Sequence, residues 1–573
     1  MDILVLAKQI PEIDKIRFDA STGRIIRENV PLQMNSFDRK AVDEAIKIKE
    51  KHGGKVTVVS MGPPSADEIL NLSLRMGADR AVLISDRAFA GSDTLVTSKV
   101  LAEFVRITSP DLVLAGKYSL DGETSQVPPE VAIFAGYNFK SSVSRIEIGE
   151  DLKSATVEHE TEEGISVMEI PLRAVLSVSE KINRARAVKP GVPDMSQKIE
   201  HWSSSDLGIS ISGQSDSPTV VSGTEVIEST RNVHMTGSLK EAVETFLALS
   251  RERGTSSEPA MVDLDEYDPS RESVLGIGID DATTTMEIAS KIHELSSGKW
   301  NIRILGNIPP GDITGITCHT YDRIDCDSTR CMAEDISRFM AENHPKFVVF
   351  PSTVRGREVS AFVAALNNLG LTADCVDLSF EDGRLVQHKP AFGGGVVARI
   401  TSRTVPALST VRPGMFRVAR TSRQFSHGEF RCAASHHDKV LDKIPVPEAY
   451  RPLRNAEIVI SAGKGIGPKA NMESILSVAG KLGAAVGATR PLVDFGYLPR
   501  QQQIGLTGSS ISPRLYLAIG ISGHDNHIVG IRYAGKIFAV NSNPDAPIFR
   551  YADFGFVGDS MEFLRSLSEA LGE

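Results

Sequence analysis

Five short segments between Ser461 and Asp559 decide how this chain is read: SAGKGIG (461–467), GATRPLVDFGY (487–497), QQQIGLTG (501–508), AIGISGHDNHIVG (518–530) and AVNSNPDAPIFRYADFG (539–555). Short apolar runs of strand length separate them. At the strand ends recur small residues, hydroxyls, amides, an arginine and two histidines. An open α/β sheet places its ligand crevice outside the carboxyl ends of its strands. The pattern therefore points to a parallel sheet with a nucleotide-binding crevice in the last third of the chain.

No single segment is specific. Gly463, Gly465 and Gly467 form G-x-G-x-G, which is not the dinucleotide fingerprint, and glycines also serve tight turns. Arg490 suits a reducible ring, because a guanidinium stacks on flat rings and its charge favours electron-rich states. A surface ion pair is its plainer reading. Ser522 and Gly523 suit a pyrophosphate turn, and His527 can donate to a carbonyl.

The remainder extends the same alternation. Apolar runs at 3–7, 55–60, 81–85 and 112–115 alternate with helical periodicity at 38–49 and 66–76, and Gly53, Gly54 and Gly77 stand where helices should stop. After residue 155 the chain becomes β-rich. A Pro-, Gly- and Ser-rich arm then leads to a helix over 239–253. Residues 254–272, GTSSEPAMVDLDEYDPSRE, read as an interdomain linker. The alternation then restarts, with PDLVLAGKYSLDGE at Pro110 echoed by PKFVVFPSTVRGRE at Pro345. The simplest reading is two copies of one α/β domain, with convergent patterning as the alternative. The expected units are 1–253, the linker, 273–450 and 451–573.

The 573 residues exceed one core at roughly 150 residues per domain, and a net charge of −10 opposes a nucleic-acid surface. The N-terminus reads as a first strand and not as a signal peptide, and a cytoplasmic setting is the default. Of five cysteines, Cys318, Cys326 and Cys331 lie close in sequence, beside His319. Their spacing fits no common metal pattern, so the reading is buried inert thiols and no metal.

Taken in order, the C-terminal motifs closely resemble the α subunit of electron transfer flavoproteins. That family's patterns are of the type GGRG, GASR-x-x-VD, QVGQTG, GISGAxQH, AIN and APIF-x-x-ADYG. This chain has AGKG, GATRPLVD, QIGLTG, GISGHDNH, AVN and APIFRYADFG. The N-terminal half resembles the β subunit through VLAKQIPE, NSFDRKAVDEAIKIKE, MGADRAVLISD and AGKYSLDGETSQVPPEVA. KPAFGGGVVARI and STVRPGMF resemble the α subunit's first domain. The resemblance covers almost the whole chain and implies a β–α fusion. It implies Rossmann-like, adenine-nucleotide-hydrolase-like domains and a C-terminal FAD-binding α/β domain.

The resemblance also implies roles. Arg490 lies near the isoalloxazine, Thr507 near flavin N5, and His527 donates toward flavin O2. Ser522 and Thr489 approach the phosphate and ring regions, and Asn541 and Asp553 the adenosine end. Gln503 heads a wrapping loop with Ile504, Gly505 and Gly508, and Lys464, Gly523 and Asn526 complete the FAD set. Lys464 replaces the family's usual arginine, Leu506 a glutamine, His524 a small residue and Asn526 a glutamine. A second nucleotide, AMP or a second FAD, is implied at Ala7, Asn35, Ser60, Gly62, Gly116, Asp121, Gly122, Glu123, Thr124, Ser125, Gln126 and Val127. DGETSQVPPE is closer to the DGDT-x-QVGPE of electron-bifurcating members, with Pro128 in place of glycine. Val192, Pro193 and Met195 correspond to a partner-recognition loop.

The implied function is an electron carrier between acyl-CoA or other flavin dehydrogenases and a membrane quinone oxidoreductase or another acceptor. The alternatives are an electron-bifurcating flavoenzyme that oxidises NADH, and a nucleotide-binding sensor without redox function. Residues 445–454, PVPEAYRPLR, are the expected hinge of the FAD domain.

Overall fold

A computed structural model describes residues 1–12, 17–18, 25–26, 30–226, 231–252, 259–324, 326, 328–392, 396–433, 439–445, 450, 452–453, 456–505 and 508–572. Three predominantly parallel sheets carry the fold. The first four apolar runs form the strands Asp2–Leu6, Lys55–Met61, Arg80–Ile84 and Leu112–Gly116, within a residue of the boundaries their hydrophobicity predicts. Leu112–Gly116 is buried on both faces, which is why it reads as a continuous apolar run. Helices Ser36–His52 and Asp67–Met76 stop at Gly53 (φ 73°) and Gly77 (φ 122°), where a side chain would be strained.

The two halves have the same topology. In the first sheet the strands lie in the order Ile199–Trp202, Arg80–Ile84, Lys55–Met61, Asp2–Leu6, Leu112–Gly116, Ala174–Val178, Asn138–Ile148. In the second they lie in the order Ser426–Phe430, Thr320–Ile324, Asn301–Gly306, Ser273–Gly278, Phe347–Pro351, Ala407–Val411, Leu371–Cys375. Ranked by chain order within each half, both read 7-3-2-1-4-6-5. The repeated sequence at Pro110 and Pro345 supplies the fourth strand of each copy. Identical strand order over seven positions establishes a duplicated domain and not mere convergence of pattern.

The copies exchange strands. After its seventh strand the first copy sends Thr219–Val226 to pair antiparallel with Val396–Ser402 of the second. The second copy sends Lys439–Pro445 back to pair antiparallel with Gly164–Pro171 of the first. The first residue of the expected hinge, Pro445, thus ends an edge strand, and most of its other residues lie outside the described ones.

The third sheet runs His234–Met235, Phe554–Val557, Lys536–Asn541, Leu515–Ile519, Ile458–Ala462, Ala485–Ala488, all parallel. Two expected boundaries move. The helix Leu239–Arg251, expected to close the first domain, buries Ala242, Phe246 and Leu249 in the core of the third, where Phe246 packs edge-on against Phe538 at 5.6 Å. The expected linker is not free chain throughout. Ala260–Met261 pairs with Ala419–Arg420, and Leu264 is buried in the second copy's core. The helix has an apolar face and the linker segment has almost none, but neither pattern discloses which core it packs against. Among the described residues no helix is long and apolar enough to cross a membrane.

Candidate functional site

Sequence order reverses at Ile458–Ala462, which has Ala485–Ala488 on one side and Leu515–Ile519 on the other. That is the switch point at which a doubly wound sheet opens a crevice. The two loops flanking it pack backbone to backbone. Gly465 N donates to Gly520 O at 3.0 Å, and a Cβ on Gly463 would stand 2.4 Å from that same carbonyl oxygen. A Cβ on Gly523 (φ 87°) would stand 2.2 Å from Ile548 N. These glycines therefore hold the crevice floor together. The polar groups beside them face out: Lys464, Ser522 and Asn526 are exposed. Thr489 is tied in by its own N–H, donated to Ala462 O at 2.9 Å. Asn541, at the end of its strand, donates through Nδ2 to Ile521 O at 2.8 Å and so braces the same loop.

Arg490 opens the short helix after Thr489. Its guanidinium is exposed and lies 3.4 Å from Asp494 in a surface ion pair. Gln503 and Ile504 are buried, and the Gln503 carbonyl accepts from Ser509 N at 2.7 Å, closing the loop that carries Gly505 and Gly508. Thr507 lies outside the described residues. His527 is buried, with Nδ1 3.2 Å from Ile504 O and Nε2 2.7 Å from the Tyr516 hydroxyl. The consistent arrangement is a neutral ring donating from Nδ1 to the carbonyl and accepting at Nε2 from the phenol. Burial pushes its pKa down to about 4. Both nitrogens are thus engaged within the protein.

Asp553 does not join this set. It precedes the strand Phe554–Val557, accepts from Ile537 N at 2.7 Å and pairs with Arg231. In a parallel sheet that is the amino end, opposite the crevice. The adenosine-end placement of Asp553 is therefore corrected: its position at the start of a strand outweighs its place in a motif.

Gly505, Gly508 and Ser509 also line a cleft of about 270 Å³ where the three units meet. Across it stand Asp374, Arg412 and Lys117. Burial alone would raise the Asp374 pKa, but Arg412 and Arg357 override it and hold the carboxylate well below its usual range. Arg412 in turn donates to the Ser510 hydroxyl at 2.8 Å, linking the second copy to the third domain.

A cavity of about 740 Å³ lies at the carboxyl ends of the first sheet. Of the residues expected around a second nucleotide, Ala7, Gly62, Gly116, Gly122, Thr124, Ser125, Gln126 and Val127 line it. Four others do not. Asn35 is buried and holds a loop by donating to Tyr118 O at 3.0 Å. Ser60 is buried within its strand. Asp121 pairs with Lys8 at 2.8 Å, and Glu123 faces the three-way cleft. Residues not singled out by sequence also line the cavity: Asp38, Thr94 and, from the second copy, Lys389 and Leu371–Ala373 by position 371–373. Asp38 accepts from Lys8 N at 2.8 Å and Gly116 N at 2.9 Å, and burial raises its pKa to about 7. A Cβ on Gly116 would meet Asp38 Oδ1 at 2.4 Å, so the glycine is required by the carboxylate behind it. Gln126 reaches across the copies, donating to Leu371 O at 3.1 Å.

On the arm, Pro193 is exposed and Val192 half-buried, whereas Met195 packs against the first core and its N–H donates to Asn71 Oδ1 at 2.9 Å. His319 spends both ring nitrogens on backbone, at Ile302 N and Asp265 O. Cys318 is buried apart, while Cys326 and Cys331 meet the distant Cys432.

The family model for the electron transfer flavoprotein domain matches residues 22–207 and again 317–429, once in each copy of the duplicated fold. The model for the electron transfer flavoprotein FAD-binding domain matches residues 452–532, the segment that builds the crevice. The chain is 37% identical over 251 residues to the electron transfer flavoprotein subunit alpha of Thermoanaerobacterium thermosaccharolyticum, covering 43% of this chain and 76% of that protein. It is 36% identical over 255 residues to subunit beta of the same organism, covering 43% of this chain and 96% of that protein. It is also 40% identical over 227 residues to the caffeyl-CoA reductase–Etf complex subunit CarD of Acetobacterium woodii, covering 39% of this chain and 86% of that protein. With two copies of the shared domain, a FAD-binding domain and relatives among both subunits, the chain belongs to the electron transfer flavoprotein family, as a β-like half followed by an α-like half.

Proposed function

We propose that the chain carries electrons on a FAD held in the C-terminal crevice. The electrons come from an acyl-CoA or other flavin dehydrogenase and go to a membrane quinone oxidoreductase or another acceptor. The observation that carries this reading is the glycine-floored crevice at the switch point of a FAD-binding domain, with Lys464, Ser522, Asn526 and Arg490 exposed around it. A flavin bound there supplies the redox chemistry. The protein's own part is to bind, orient and tune. Exposed hydroxyl, amide and cationic groups suit the phosphates, and Arg490 favours added negative charge. No nucleophile or acid–base pair is required of the chain.

A second nucleotide belongs to the same proposal, in the N-terminal cavity. One observation favours a second reading, the bifurcating one. At about 740 Å³ the cavity exceeds what an adenosine monophosphate fills, and its lining is largely apolar, as a flavin ring would require. The test is denaturing release and chromatographic identification of the bound nucleotides. FAD with AMP supports the carrier, and two FAD per chain with NADH-dependent reduction supports the bifurcating enzyme. A chain that neither carries nor takes up FAD would overturn both and favour a sensor.

A further inference from the structure

The duplicated domain invites comparison of the two copies position by position, and one junction differs in kind. In the first copy the loop after the third strand is fastened to the segment after the seventh. The hydroxyl and N–H of Ser204 donate to Asp86 Oδ2 at 2.6 and 3.1 Å. Asp86 stands two residues beyond Ile84, and Ser204 two beyond Trp202, the strand-paired partner of Ile84. In the second copy the pair Ile324 and Phe430 has the same register, and two residues beyond each stand Cys326 and Cys432. A third thiol, Cys331, comes from the first turn of the helix Thr329–Asn343. The three sulfurs lie within 4.8 Å of one another, and Cys331 Sγ and Cys432 Sγ are 3.8 Å apart. A carboxylate–hydroxyl clamp has been replaced by groups that hydrogen-bond weakly.

We propose that Cys326, Cys331 and Cys432 form a three-thiolate site for a thiophilic divalent cation, zinc(II), with a solvent molecule as the fourth ligand. A zinc–sulfur bond of about 2.3 Å and a tetrahedral angle put neighbouring sulfurs roughly 3.8 Å apart. Thiolates select such d10 ions over harder cations. Two of the three ligands are held in place before any metal arrives. Cys432 lies between two residues tied to the helix that carries Cys331: Arg338 donates to Arg431 O, and Ala433 N donates to Asp335 Oδ1 at 3.2 Å. Cys331 sits in the first turn of that 15-residue helix. On loading, the three thiols release three protons to solvent and each sulfur donates a pair to the ion. The bound ion would fasten the edge strand Ser426–Phe430 to the sheet, as the Asp86–Ser204 contact does in the first copy.

The experiment uses the full chain, purified without chelator and supplied with zinc(II) alone. Elemental analysis is expected to find about one zinc per chain. X-ray absorption at the zinc edge is expected to show sulfur scatterers at about 2.3 Å. Cys432→Ser should lower zinc uptake at least tenfold while leaving the far-ultraviolet circular dichroism unchanged. The wild-type result decides the matter even if that variant misfolds. A wild-type chain that takes up no zinc, zinc bound without sulfur scatterers, or a peptide map showing a Cys331–Cys432 disulfide in the purified chain would each overturn the proposal.

Discussion

His527 shows how a single side chain can satisfy a motif and the core together. Its folded pKa of about 4 lies below the ordinary value near 6.5, because burial disfavours the charged ring. The unfolded chain therefore binds more protons than the folded one between those values. The stability that the neutral ring represents is complete above pH ~6.5 and is lost as pH falls toward 4, on the order of 3 kcal/mol in all. His527→Gln is expected to remove most of that pH dependence, read as the difference between variant and wild type in urea unfolding at pH 5 and pH 7. Equal slopes would show that the ring is solvated in the native protein. Arg490 makes the opposite case, an exposed cation whose ion pair with Asp494 is of little energetic consequence. If it serves the flavin, Arg490→Ala should lower the flavin's midpoint potential by about 30 mV, equivalent to ~1.4 kcal/mol for a two-electron couple. An unchanged potential would show that the surface ion pair is its whole role. At this scale the sequence disclosed which residues were unusual but not what each one touches. Nothing local to GISGHDNH announces that Tyr516 and Ile504 occupy both nitrogens of His527.

Among elements, the strand-end loops at Gly463 and Gly520 determine whether a crevice exists. Gly463 has an extended backbone that any residue can adopt, so its constraint is contact and not conformation. Gly463→Ala would place a methyl 2.4 Å from Gly520 O, and the two loops would have to part. The expected cost is roughly 2 kcal/mol, with a larger loss in FAD retention because the floor of the site moves. Comparing thermal unfolding with flavin content after gel filtration would check it, and full flavin content would refute the floor assignment. Element identity was the most legible property of the chain. The buried parallel strands announce themselves as apolar runs, and the helices Ser36–His52 and Asp67–Met76 end where glycine appears. Element partnership was less legible. Leu239–Arg251 is an amphipathic helix by sequence, but the core that receives its apolar face is built from residues some 260 to 325 positions later, at Leu515–Ile519, Phe538 and Phe563. Asp553 differs from its expected place for a related reason. Its motif continues the crevice series, but its position before a strand puts it on the other edge of the sheet.

Across the whole molecule, the third domain is fastened to the duplicated pair through a few charged contacts. Glu180 receives Lys117 at 2.7 Å and also Arg500, with all three side chains largely buried. Burial and the charge of Arg500 push the Lys117 pKa down to about 7, so the two cations repel, and Glu180 is the acid that touches both. Removing the acid should therefore release the third domain more than removing either base. Glu180→Gln is expected to raise the radius of gyration and the rate of proteolysis near residues 445–454 more than Arg500→Gln does, in small-angle scattering and limited digestion. The reverse order would show that Arg500 alone fastens the domain. The sequence by itself determined the fold class, the order of the β-like and α-like halves and the position of the FAD-binding segment, whereas the duplication, one of two readings in sequence, was decided by the shared strand order. The first three are written in local hydrophobic periodicity, in glycine placement and in motif order along the chain. Only the tertiary structure decided what crosses between units: the exchange of Thr219–Val226 and Lys439–Pro445, the roof that Lys389 gives the N-terminal cavity, and the meeting of Cys326 and Cys331 with Cys432. Those contacts join residues tens to hundreds of positions apart. Each depends on which surface meets which when the sheets close, and that is settled by packing and geometry over the whole molecule.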